Sequence, residues 1–357
     1  MKERIQCLQR VSKDVIQDCC LENGAIVAAN STKPYYSKDV KNYFYVWPRD
    51  ALFACIAGEV AGIGGIQEKF FDWLLMRAEG WEETGLFYEK YYPNGLQALK
   101  RFQPDQTGSI LYALWHYYRD DPAKADRHKD LVLHSAEGLC RFWDQDHFSI
   151  ITNDLWEERM TFPDMKENFS YSLGACIRGL LSADQLYPDQ RYVDVAREMR
   201  GVLFRNSEER GYFCRSFGVL NDERIDASAL GLIWPFDIVD VKDPLAQETI
   251  RLIEKGLVRD FGVHRYEQDE YDGWMYQTLH RNKGAGFWPI LNFWMCIVQS
   301  KNGNRDKALQ YYKKVVNSTY NEFIPEQIFD NDIQQSISPL CWSHSMFILA
   351  SRELDFI

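Results

Sequence analysis

The sequence predicts an all-α protein, an (α/α)6 barrel: a six-hairpin toroid with an inner ring of apolar helices inside an outer ring of amphipathic ones. Two observations predict it. Helical periodicity dominates while strand signals are sparse, and helical segments of two kinds alternate along the chain, about six of each. A helix with one apolar stripe keeps one wet face, whereas a helix apolar all round is buried on every side. Strict alternation of the two is what two concentric rings require.

Taken in order, residues 4–21 open the chain with an amphipathic segment, and RDALFACIAGEVAG (49–62) is the first segment apolar nearly all round. Residues 66–78 are amphipathic again, followed by the apolar TGSILYALWHYY (107–118). In 130–143 the residues Val132, Ala136, Leu139, Cys140 and Trp143 share one face, and the apolar YSLGACIRGLL (171–181) comes next. In 190–203 one face holds Tyr192, Val195, Ala196, Met199, Val202 and Leu203, before DASALGLIWPF (226–236). Ala246, Ile250, Ile253 and Leu257 form the stripe of 244–257, before WPILNFWMCIV (288–298). Residues 304–317 are the last amphipathic segment and WSHSMFILAS (342–351) the last apolar one.

The bulk properties agree with one large globular unit. The chain has 357 residues, 46% of them apolar, enough to bury a sizeable core. No Gly/Ser linker, charge block or low-complexity stretch divides it, so residues 1–357 are expected to form a single domain. A net charge of −11 argues against nucleic acid as a partner, because phosphate binding needs a basic footprint. Neutral ligands such as glucans remain open. The charged, amphipathic N-terminus carries no apolar signal core, and no stretch approaches a membrane span. Nine cysteines form no CxxC framework. Cys7, Cys19, Cys20, Cys55, Cys140, Cys176 and Cys296 sit in apolar, helix-like stretches and read as buried free thiols in a reducing cytoplasm. Nothing in the sequence sets the oligomeric state.

The unusual polar and aromatic residues gather just before the apolar segments. They are YFYVWPRD (43–50), RFQPDQTG (101–108), DLWEERMTFPD (154–164), NDERIDAS (221–228), VHRYEQDEYDGW (263–274) with NKGAGFW (282–288), and FIPEQIFDN (323–331). In a ring of parallel inner helices these loops converge on one rim. They bring carboxylates, arginines and flat rings together. Rings stack on the apolar faces of sugars, and Arg and Asp pair with sugar hydroxyls. Two carboxylates on opposite sides of a glycosidic bond can cleave it, one as acid and one as base. Burial against Trp156 and repulsion from Glu158 are expected to keep Glu157 protonated as the acid.

In these motifs the chain resembles glycoside hydrolase family 15, the glucoamylase-like enzymes, from about residue 40 to the C-terminus. The resemblance implies an (α/α)6 barrel that cleaves α-glucosides with inversion, releasing β-glucose from non-reducing ends. WPRD (47–50) is similar to the family's WxRD, which implies that Arg49 and Asp50 grip the terminal glucose beside Trp47, with Tyr43 stacking nearby. Trp156-Glu157-Glu158 is similar to its WEE, implying Glu157 as general acid and Glu158 as a substrate contact. Arg265-Tyr266 resembles its Arg-Tyr pair, with Arg265 on sugar hydroxyls, and Trp288 its aromatic at the fifth inner helix. Glu326-Gln327-Ile328 resembles EQF and implies Glu326 as general base, and Trp342-Ser343 resembles the WS of the last inner helix. Asp105, in the QPDQTG loop, is a further candidate ligand. The implied substrates are small soluble α-gluco-oligosaccharides, glycogen fragments or trehalose. No cofactor or metal is implied. The chain has no room for the β-sandwich or starch-binding domains that many relatives carry.

Two other readings compete. A non-catalytic glucan-binding or regulatory module could use the same barrel, but it would be expected to lose a catalytic carboxylate. Cys341 and His344 stand at a possible metal-ligand spacing, yet no second Cys/His pair accompanies them and three protein ligands are the usual minimum.

Overall fold

The computed structural model describes residues 2–219, 221–273, 284–331 and 334–357. The chain begins with α1 (Lys2–Cys19, outer), α2 (Pro48–Val60, inner) and α3 (Ile66–Arg77, outer). A one-turn α4 (Trp81–Thr84) leads into strands β1 (Tyr88–Tyr91) and β2 (Gln97–Phe102), then α5 (Pro104–Tyr118, inner) and α6 (Lys129–Phe142, outer). Short strands β3 (Trp143–Asp144), β4 (His147–Phe148), β5 (Thr152–Asn153) and β6 (Met160–Thr161) precede α7 (Ser170–Leu186, inner) and α8 (Gln190–Arg210, outer). The fourth inner position is the 3-10 segment Ala227–Leu232. There follow α9 (Pro244–Leu257, outer), α10 (Pro289–Lys301, inner), α11 (Arg305–Ser318, outer) and α12 (Cys341–Glu353, inner).

The inner elements pack on one another in ring order, with α2 against α5, α5 on α7, α7 on Ala227–Leu232, that segment on α10, α10 on α12, and α12 back on α2. This is the (α/α)6 fold. The inner helices are buried along nearly their whole length, from Pro48 to Gly58 in α2 and from Pro289 to Gln299 in α10. The outer helix α9 buries only Ala246, Thr249, Ile250, Ile253 and Leu257, the stripe at helical spacing. Helices α5 and α7 approach closely because glycines face each other. A Cβ on Gly108 would lie 2.3 Å from the Ala175 carbonyl oxygen.

The axis of the ring is filled by aromatic side chains. Phe53 stacks on Trp342 with centroids 5.0 Å apart, Trp294 stands 6.0 Å from Phe53, and Tyr171 stacks on Trp294 at 5.8 Å. These rings come from α2, α12, α10 and α7, so the toroid is plugged beneath its rim.

Three details depart from the sequence reading. Residues 226–236 do not form a helix like the other inner segments: a 3-10 turn is followed by a loop. Pro235 has no N–H to donate, and Gly231 packs so tightly on the Tyr171 ring that a Cβ would come within 2.7 Å. A small sheet in the order β1-β2-β5-β6 sits at the rim. Its strands are too short for an alternating pattern to be visible in sequence. All nine cysteines are free, but Cys7 and Cys20 are only half-buried. No helix among the described residues is long and apolar enough to cross a membrane.

Candidate active site

Three inner helices open with proline at their first position. The preceding residues are Trp47 before α2, Gln103 before α5 and Trp288 before α10. Proline biases its predecessor toward extended backbone, and its missing N–H is harmless in a first helical turn. Trp47 and Trp288 accordingly share almost one conformation, φ −103° and ψ 115° against φ −104° and ψ 115°. Both indoles are thereby set at the rim.

The head of α2 is held from β1 and α5. Val46 and Tyr91 exchange two backbone hydrogen bonds, at 2.8 and 2.9 Å. The Arg49 amide donates to Gln106 Oε1 at 2.6 Å. Its guanidinium is buried, with Nη1 donating to Asp105 Oδ2 at 2.9 Å and to Gln103 Oε1 at 3.2 Å. The QPDQ turn is therefore the cradle of Arg49. Asp105 does not line the pocket: it is wholly buried behind Arg49, where it also accepts from Ser172. A carboxylate there is a counter-charge, since an unpaired buried guanidinium is costly. Asp50 sits beside Arg49, 3.5 Å from Nη2, and burial pushes its carboxyl up to about 7.

The WEE loop runs between β5 and β6, with Asp154 organising it. Its carbonyl accepts from the Glu157 amide, its Oδ1 from the amides of Glu158 (2.8 Å) and Arg159 (3.0 Å), and its Oδ2 from Arg215 (2.7 Å). Glu157 is held at φ +61°, a left-handed backbone uncommon for a side chain of this kind and frequent at functional turns. The loop splays its three side chains. Glu157 Oε1 accepts from Trp47 Nε1 at 2.5 Å, and Oε2 lies 3.3 Å from Lys90 Nζ. Glu158 turns instead to Arg265 (2.8 Å), Tyr266 (2.5 Å) and Arg215 (3.1 Å). Trp156 donates to Asp226 Oδ2 at 2.9 Å and lies beside the Arg265 guanidinium. The indole that hydrogen-bonds Glu157 is therefore not that of its neighbour Trp156. It is that of Trp47, and the Glu158 charge is taken up by two arginines.

Arg265 grips Asp269 with Nε and Nη2, each at 2.7 Å, while its face lies 4.9 Å from the centre of Trp288. Glu326 faces the same pocket from a loop pinned by α12. Ser343 Oγ donates to the Pro325 carbonyl, and His344 Nε2 accepts from the Ile324 amide. Its Oε2 accepts from Ser336 at 3.3 Å. Burial raises the Glu326 carboxyl to about 7, against the opposing pull of Arg265, Tyr43, Lys41 and Ser336. The other ring nitrogen of His344 bonds Ser12 Oγ at 2.8 Å. Both nitrogens are thus engaged, and no group of three or more His, Cys, Asp or Glu among the described residues could hold a metal.

These elements enclose a pocket of about 230 Å³. Tyr43, Trp47, Arg49, Asp50, Trp156, Glu157, Glu158, Arg265, Trp288, Glu326 and Trp342 all line it. Lys41, Leu155, Tyr271 and Leu340 complete the wall without having been marked in the sequence. Arg215, which holds Glu158, was also missed as a site residue, as were Glu89 and Lys90 of β1; Tyr266, which also holds Glu158, was marked only as the motif partner of Arg265. An isolated arginine and a glutamate–lysine pair on a short strand carry no motif. Residues 274 and 282–283 of the fifth loop lie outside the described residues. Asp50 Oδ2 and the indole N–H groups of Trp288 and Trp342 are buried with no hydrogen-bond partner among the described residues. A buried polar atom in this state calls for a partner such as an ordered water, an ion or a ligand.

A helical toroid whose loops converge on a blind pocket of carboxylates, arginines and indoles defines a class of carbohydrate-processing proteins. The chain belongs to glycosyl hydrolases family 15, whose profile matches residues 75–352. An uncharacterized glycosyl hydrolase of Methanocaldococcus jannaschii is 30% identical, over 94% of this chain and 54% of its own length. Trehalase 1 of Sulfolobus acidocaldarius is 22% identical, over 73% of this chain and 43% of its own. The chain thus spans about half the length of these curated relatives. Among solved structures, a wild-type glycosidase superposes with a TM-score of 0.80 at 22% identity, covering 100% of this chain and 98% of that one. The fold is the one found in glucoamylases of known structure.

Proposed function

We propose that the chain is an exo-acting, inverting α-glucosidase that removes single glucose units from the non-reducing ends of small soluble α-glucosides. The observation that carries this reading is the pairing of Glu157 and Glu326 in one aromatic-floored pocket, with Arg49 and Asp50 beside them. The pocket, about 230 Å³, lies below the roughly 300–1,000 Å³ of ordinary ligand sites, which favours one sugar ring over a length of chain. Asp50 and the free indole N–H groups receive the hydroxyls of the terminal glucose, and Arg265 those on the opposite side. Glu158 holds Arg265 in place.

In the reaction, Glu157 donates its proton to the glycosidic oxygen as the bond from C1 breaks. Glu326 takes a proton from water, whose oxygen bonds to C1 on the opposite face. The leaving sugar departs as an alcohol, and the two carboxyls have exchanged protonation states. A base poised near neutrality suits this role, and burial of Glu326 supplies it. One relative is a trehalase, so trehalose stands among the candidate substrates. Glucose release from maltose, maltotriose, isomaltose and trehalose decides the linkage. Failure to hydrolyse any of the four would remove the proposal.

A further inference from the structure

Strand β1 brings two adjacent charges to the acid that the mechanism above leaves unused. Glu89 is fully buried, and Lys90 extends over the Trp47 ring with Nζ 4.9 Å from its centre. Lys90 Nζ stands 3.3 Å from Glu89 Oε1 and 3.3 Å from Glu157 Oε2, so one ammonium bridges two carboxyls. Glu89 is fixed from behind, where Asn153 Nδ2 of β5 donates to Oε2 at 2.6 Å and Arg101 of β2 lies 3.9 Å from the same atom. Its backbone carbonyl accepts from Gln106, the residue that also orients the Arg49 amide. The cluster is therefore built into the same scaffold as the sugar-gripping arginine.

The charges pose a physical problem. A general acid has to keep its proton until the leaving oxygen takes it, yet an ammonium within about 4–6 Å favours the ionised carboxylate. Lys90 alone would drain the acid it positions. A second carboxyl buried beside the ammonium cancels that field at close range. We infer that Glu89 is a positioning residue for the acid step: it neutralises Lys90, so that Lys90 and Trp47 can aim the Glu157 carboxyl without stripping its proton. Burial, then the neighbouring Glu157 charge, lifts Glu89 to about 7, against Lys90 and Asn153.

The other groups around Glu157 are Trp47, Arg49 and Asp50 of the α2 head, with Tyr43 and Tyr271 across the pocket. Around Glu89 they are Lys90, Arg101, Asn153 and Glu157. None of these beyond Glu89 and Lys90 changes in the variants below.

The inference rests on Glu157 being the general acid, and the experiment separates the two. The pH dependence of kcat/KM is measured on whichever disaccharide of the panel is cleaved fastest, for wild type, Glu89→Gln, Lys90→Met and the double variant. Glu89→Gln leaves Lys90 unbalanced and should move the alkaline limb down by on the order of one pH unit. Lys90→Met removes the cation and should move it up. The double variant, neutral at both positions, should return toward wild type. A role confined to holding the fold would lower the whole profile without moving the limb in opposite directions. Lys90 is partly exposed, so its variant reads the effect even where the buried substitution fails to fold. A limb unmoved in Lys90→Met, or moved the same way by both single changes, overturns the inference. Full turnover in Glu157→Gln overturns the acid assignment and the inference with it.

Discussion

Trp47 Nε1 donates to Glu157 Oε1 at 2.5 Å across 110 residues of chain, joining the WPRD head of α2 to the WEE loop. The contact orients a carboxyl whose backbone is already set in a left-handed turn. The aim of this one side chain is thus set by two distant motifs together.

The first prediction follows from that contact. Glu157→Gln keeps the shape and the indole bond but removes the transferable proton, so kcat should fall by on the order of 10² to 10⁴. Substrates with activated leaving groups need less protonation and should lose less. Trp47→Phe keeps a ring and removes the N–H, and should cost roughly two- to tenfold in kcat, the worth of a hydrogen bond to a neutral carboxyl. Steady-state kinetics on both classes of substrate checks this. A Glu157→Gln variant equally slow on activated and natural substrates would argue against an acid role.

The Arg49 cradle gives the second. Asp105 touches no ligand space, yet it is the closest counter-charge of a buried guanidinium. Asp105→Asn should lower stability by on the order of 3 kcal/mol, as when a buried pair is broken. It should also raise KM at least about tenfold, because Arg49 loses its anchor. Thermal unfolding and kinetics test the two parts, and an unchanged KM would disconnect Asp105 from the site.

How much of this was legible in sequence depends on the scale of the signal. The two rings were legible, because burial on all sides and burial on one side leave different periodicities over ten or more residues. The rim residues were legible because they gather in the loops that precede the apolar segments. Asp105 was visible as a candidate, but its role as a counter-charge depends on where Arg49 folds. Lys90 and Glu89 were not visible, since a charged strand four residues long reads as solvated surface, and Arg215 was not, since a lone arginine carries no motif. The choice of indole for Glu157 went to its neighbour Trp156, because sequence adjacency is all that a linear reading can weigh. A left-handed φ at Glu157 and a fold partner 110 residues away decided otherwise.

The acidic limb of the pH profile supplies a third prediction. Burial holds Glu326 up to about 7, and a base works only when ionised. On the acidic side kcat/KM should therefore fall as pH drops through a value above the ordinary glutamate range of about 4.3. Ser336→Ala removes a hydrogen bond to the ionised form and should move that limb further up. A limb near 4 in both proteins would count against Glu326 as the titrating base.

Stability should also depend on pH through Asp222. Burial alone would raise its carboxyl, but hydrogen bonds from Arg224 and Arg159 override burial and hold it well below the usual range. A depressed folded pKa contributes stability that is complete above the unfolded value near 3.9 and is lost as pH falls toward the folded one. Asp222→Asn should therefore lower the melting temperature at pH 7, by on the order of 3 kcal/mol in stability. The gap from wild type should close progressively below pH 4. A gap that stays constant into strong acid would show that the carboxylate's charge is not what matters.

The anomer of the first product tests both proposed carboxylates together. A direct attack by water needs space between base and sugar, so inverting carboxyls stand roughly 6.5–9.5 Å apart, whereas a nucleophilic carboxylate stands at about 5–5.5 Å. Glu157 is tied to the α2 and β1 side of the pocket by Trp47 and Lys90, while Glu326 hangs from the loop pinned by Ser343 and His344 of α12. The two are anchored on separate elements, and the proposed inverting reaction requires the wider arrangement. An α-linked substrate should then yield β-glucose first, visible by NMR before mutarotation. Glu326→Ala should abolish turnover, and added azide, entering where water attacks, should yield a β-glucosyl azide. α-Glucose as the first product, or a glucosyl ester trapped on either glutamate, would exclude single displacement, and the esterified residue would be the nucleophile.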